Sequence, residues 1–88
     1  MSTFCFSVQS DAEPGVLPRV LEVFALHGFV PDQCHATRCG DSGDELVVDL
    51  QMRGLDHAAA ALLAKRLGRV VAVSTVLFSE KWQQCAAA

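Results

Sequence analysis

Apolar and polar positions alternate from Thr3 to Gln9, with Phe4, Phe6 and Val8 on one side and Thr3, Cys5, Ser7 and Gln9 on the other. This period of two predicts a half-buried strand. Asp11-Ala12-Glu13-Pro14-Gly15 breaks the period, and Leu17, Val20, Leu21 and Phe24 then recur at helical spacing as far as Gly28, a glycine stop. Pro18 is compatible with a helix that starts near Gly15, because the N–H groups of a first turn have no intrahelical partner to lose.

Phe29-Val30-Pro31 reads as extended, and Cys34, Ala36 and Arg38 alternate with His35 and Thr37 in a second, weaker strand. Pro31 and the mixed polarity place it at a sheet edge. Gly40-Asp41-Ser42-Gly43-Asp44 is turn chemistry, and Leu46, Val48, Leu50 and Met52 alternate with Val47, Asp49 and Gln51 in the returning strand of a hairpin. Asp56 is a good N-cap for a helix with the stripe Ala59, Leu62, Leu63 and Leu67, which Gly68 ends. Val70 to Phe78 reads as the last strand. Residues 1–79 are therefore expected to form the domain and residues 80–88 a partly frayed tail.

The order strand, helix, strand, strand, helix, strand predicts an α+β fold, the ferredoxin-like βαββαβ sandwich: a four-stranded antiparallel sheet with two helices on one face. In that fold's usual order the first and third strands are central. The other sheet face, and the edge beside Cys34 to Arg38, are then left open.

With 88 residues, 51% of them hydrophobic, the chain suits one small domain whose modest core gains from pairing with a second copy. The net charge of -3 lacks the positive field by which nucleic-acid binders neutralise phosphates. No apolar run approaches the roughly 20 residues that span a bilayer, and Met1-Ser2-Thr3 leads straight into a strand pattern, so no membrane contact and a cytoplasmic location are expected. In that compartment Cys5, Cys34, Cys39 and Cys85 are expected as reduced thiols.

Most of the candidate chemistry has a plain structural reading. Cys34 and His35 point to opposite faces of a strand and no C-x-x-C exists, so no metal site and no cofactor are expected; Cys34 is assigned to the core and His35 to the open face. No cysteine sits at a helix start, which argues against a thiol nucleophile. Asp41, Asp44 and Glu45 lack the ligand spacing of a calcium loop and suit a solvated hairpin tip. Lys65, Arg66 and Arg69 complement a helix C-terminus. Phe4 and Phe6 share the core stripe, so no aromatic platform remains for RNA. The turn before the first helix is the strongest candidate: its glycine permits close approach, and helix-start N–H groups attract a carboxylate. A simple helix-entry turn accounts for the same residues.

Asp11-Ala12-Glu13-Pro14-Gly15-Val16-Leu17-Pro18-Arg19-Val20-Leu21, followed by Phe24 and His27-Gly28-Phe29, resembles the first strand-turn-helix of ACT domains, small amino-acid-sensing regulatory modules. With Leu67-Gly68-Arg69-Val70-Val71-Ala72-Val73, the look is closest to the small regulatory subunit of acetolactate synthase. The resemblance implies a non-catalytic homodimer whose sheets join side by side, with a small amino acid, branched-chain if any, at the seam. It also implies a catalytic biosynthetic subunit as partner. Carried over by position, Asp11, Glu13, Gly15, Val16 and Leu17 form one side of the ligand site. Val30 and Pro31 of the other chain form the second, where branched-chain-binding relatives usually show Asn-Ile. The absent asparagine removes a hydrogen-bonding handle, which keeps a ligand-free dimerisation module open as the alternative. An acylphosphatase-like hydrolase ranks behind both, since the acidic turn offers no cradle for phosphate.

Overall fold

The computed structural model describes residues 2–81. The elements run β1 (Thr3–Asp11), α1 (Val16–Leu26), β2 (Gln33–Cys39), β3 (Glu45–Arg53), α2 (His57–Leu67) and β4 (Val73–Lys81). They form one antiparallel sheet in the order β2-β3-β1-β4, with β1 and β3 central, as the ferredoxin-like βαββαβ expectation requires.

Register separates two chemistries. Phe6 lies between Leu50 and Phe78, and Val8 between Val48 and Val76, on the face that the helices cover. On the open face Ser7 lies between Asp49 and Leu77, and His35 extends that row from β2. The covered side joins Phe4, Phe6, Val8, Val48, Leu50 and Met52 to Val16, Val20 and Phe24 of α1 and to Ala60, Leu63 and Leu67 of α2. Each such large side chain contributes about 1.5–3 kcal/mol by leaving water. Phe24 meets Phe6 edge-on at 5.6 Å, and Phe6 stacks on Phe78 at 6.0 Å, so α1 and β4 are tied to the same strand.

Three local expectations are corrected. Helix α1 buries Val16, Val20 and Phe24, whereas Leu17 is half-buried and Leu21 exposed; α2 likewise buries Ala60 and leaves Leu62 exposed. Both helices are apolar around more than one stripe, and in α1 the stripe that turns Phe24 onto Phe6 is the one buried. The last strand begins at Val73, because Val73 N–H donates to the Val70 carbonyl at 3.1 Å and closes a turn in which Ala72 has φ 80. It also runs on to Lys81, past Phe78, the end expected for the strand; residues 82–88 of the expected tail, with Cys85, lie outside the described residues.

The helix ends differ in kind. Asp56 caps α2 by accepting the Ala59 N–H at 2.8 Å. Helix α1 has Gly15 at its N-cap and no side-chain cap, and it stops at Gly28, φ 78.

Candidate ligand and pairing site

The turn between β1 and α1 is pinned to both neighbouring strands' connections. Asp11 N–H donates to the Ala72 carbonyl and Ala12 N–H to that of Asp44, each at 3.0 Å. Inside the turn, Glu13 N–H donates to the Asp11 carbonyl at 2.9 Å and Val16 N–H to that of Glu13 at 3.1 Å. A helix start leaves its first-turn N–H groups without intrahelical partners. Here Val16 is satisfied and Pro18 has no N–H, so Gly15 and Leu17 keep the open donors among the described residues. Gly15 has φ −84, not the positive value that would require glycine, and an added Cβ would meet only Arg19 Cζ at 3.9 Å.

The side chains of Asp11 and Glu13 are exposed and Leu17 is half-buried, all available to a visitor. Val16 is in the core, 1% exposed, so its contribution to the turn is the packing that fixes it. Val30 is 82% exposed and Pro31 half-buried, at the far end of the sheet. Asp11 pairs with Glu45 at the start of β3, whereas Gln33 pairs with Gln51 near its end, a separation of about 20 Å at the rise of a strand. One chain therefore does not bring the two halves of the expected site together.

Strand β2 is exposed from Gln33 to Arg38 on both faces. Cys34, expected in the core, is exposed: it faces the helix side beside Leu50, but α2 lies over β1 and β4 and α1 reaches β1 through Phe24, so no helix covers β2. The shielding Cys34 does receive pushes its thiol pKa up, opposite to what a thiolate nucleophile requires. His35 lies on the open face across from Asp49, as expected.

Sequence reasoning passed over Asp32. Its carboxylate accepts the Arg53 backbone N–H at 2.7 Å and pairs with the Arg53 guanidinium at 3.2 Å, fastening the entry of β2 to the end of β3. The Arg53 N–H and then the guanidinium hold the Asp32 carboxyl below its ordinary value, against a raising effect of desolvation. Only the register reveals this clamp, since the two residues are far apart in sequence.

The open face carries a shallow depression of about 380 Å³ floored by β1, β3 and β4, with Cys5, Ser7, Asp49, Gln51 and Leu77 at its surface. Among the described residues, no group of His, Cys, Asp and Glu could hold a metal ion, and no helix is long and apolar enough to cross a membrane.

A family model for the ACT-like domain matches residues 2–86, and the chain belongs to that family. Among solved structures, it is similar to the ACT domain from GTP pyrophosphokinase of Chlorobium tepidum, with 12% identity, TM-score 0.74 and coverage of 90% of this chain and 100% of that one. The C-terminal domain of the MgtC protein from Mycobacterium tuberculosis gives 15% identity, TM-score 0.71 and coverage of 99% and 95%. A formyltetrahydrofolate deformylase from Pseudomonas putida gives 17%, TM-score 0.60 and coverage of 90% of this chain but 28% of that enzyme. At these identities the likeness is one of fold. No curated protein matches the sequence.

Proposed function

We propose that the chain is a cytoplasmic, non-catalytic regulatory module. In this reading it works as a homodimer joined along β2 and holds a small amino acid at the seam. The observation that carries it is the bareness of β2, exposed on both faces from Gln33 to Arg38 and with an unpaired outer edge. A second copy laid along that edge supplies its Val30 and Pro31 from across the seam, the half of the site that one chain lacks. The open N–H groups of Gly15 and Leu17 suit the ligand's carboxylate, Asp11 and Glu13 suit its ammonium, and Val30 suits an apolar, branched side chain. Such a module can serve as the small subunit of an acetolactate-synthase-like enzyme.

One observation favours the ligand-free alternative. Val30 and Pro31 offer no polar side chain, so a ligand finds polar side chains on one chain only.

Sedimentation equilibrium and thermal melting test both readings. The full chain should run at twice its mass at micromolar concentration, and a monomer there removes the seam. Valine, leucine or isoleucine at ten times its dissociation constant should stabilise the dimer by about 1.4 kcal/mol, a rise of several degrees. Gly15→Asp should abolish that rise while folding normally, because φ −84 and the space beside Arg19 accept a side chain. No rise with any amino acid would leave the ligand-free module standing.

A further inference from the structure

We infer that the cleft between the C-terminal end of α1 and the α2–β4 connection binds a small apolar carboxylate, at a site separate from the seam. Val23, Leu26, His27, Arg66, Arg69 and Val70 line a cleft of about 230 Å³. Its surface is mostly hydrocarbon: Leu26 is 76% exposed and Val23 and Val70 are half-buried. Arg66 and Arg69 line this apolar floor, and neither is in an ion pair among the described residues. His27 Nδ1 lies 2.9 Å from the Val23 carbonyl, which can only accept, so Nδ1 donates and the ring is held with Nε2 as its other nitrogen.

Cations at the end of α2, Arg69 included, also complement the helix dipole, but that does not account for the apolar floor. A guanidinium fork is suited to a carboxylate, and an exposed hydrocarbon cleft to a short alkyl body. No residue lining the cleft is acidic, so no side chain there recognises an ammonium group. The ligand class is thus a carboxylic acid of a few carbons, its amine irrelevant. Glu22 and the acidic turn lie outside this lining.

The probe is 4-methylpentanoate, titrated into the isotopically labelled full chain and followed by amide correlation spectra, with leucine and isopentylamine as comparisons. Saturable shifts should centre on Leu26, His27, Arg69 and Val70, with a dissociation constant of about a millimolar for so few atoms. Isopentylamine should give none. Arg69→Glu should weaken binding at least tenfold, whereas Lys65→Glu, the same charge change outside the cleft, should leave it within twofold. Absent shifts at these amides, equal shifts with the amine, or equal loss in both variants would overturn the inference. The seam reading fails separately: it requires valine, leucine or isoleucine to move Gly15, Leu17 and Val30, whatever happens at Arg69.

Discussion

The sheet has two edges, and they are finished differently. Strand β4 packs under α2 and contributes Phe78, which contacts Phe4, Phe6 and the His57 ring. Strand β2 contributes no side chain to the core. The difference shows that one edge strand packs a face under the chain's own helix while the other is bare on both faces. The polarity of β2 is then no defect of a weak strand, since its residues have nothing within the chain to pack against.

Truncation should separate the edges most sharply. Phe78→Ala is expected to cost about 2–3 kcal/mol in urea unfolding, somewhat below a fully buried phenylalanine because the ring is half-buried. Ala36→Glu, at the middle of β2, should change monomer stability by no more than about 0.5 kcal/mol. In the proposed dimer the same variant should nevertheless drive the sedimenting species to half its mass, because it would set like charges near each other across a two-fold seam. If Ala36→Glu destabilises as much as Phe78→Ala, the two edges are not different in kind.

The helices extend the comparison. Asp56→Ala removes the α2 cap and should lower stability by about 1 kcal/mol. Gly15→Ala at the start of α1 should be neutral or slightly stabilising, since its φ is already helical and the added methyl meets only Arg19. Thermal denaturation reads both. A large loss at Gly15 would mean that the α1 start is structural and not held open.

The smallest effect belongs to the clamp at the entry of β2. The Asp32 carboxyl is held below its unfolded value, so its contribution is fully present above that unfolded value and disappears as pH falls through the lower, folded one. Wild type should therefore lose stability relative to Asp32→Asn on acidification below about pH 4, and the two should keep a constant small difference at neutral pH. Denaturant titrations at a series of pH values measure it.

The strand and helix order was legible because Phe4-Phe6-Val8 and Val48-Leu50-Met52 alternate strictly, and a period of two has one reading when one face is buried. Cys34 was misplaced for a related reason. Alternation shows which side a residue faces, but not whether a helix lies over that side. Val70-Val71-Ala72 looked like strand by composition, and a local turn overrode it, with Val73 N–H closing on the Val70 carbonyl and Ala72 at positive φ. In the candidate site, Asp11, Glu13, Gly15 and Leu17 were legible as a turn entering a helix. The open donors on Gly15 and Leu17 depend on which N–H groups the folded turn consumes, and the Asp32 clamp depends on register. Neither is written in local sequence.

An edge joined through backbone hydrogen bonds is also indifferent to whose backbone arrives. Main-chain N–H and C=O groups are the same in every protein, so a ladder added to β2 carries almost no information about identity. If β2 forms the proposed seam, discrimination among rival strands rests on the few side chains that flank it, chiefly Gln33, His35 and Thr37 on one face and Cys34 and Ala36 on the other. A cell holding several related modules would sort its pairs through those residues, and mixed partnerships become a matter of their shapes and of relative abundance.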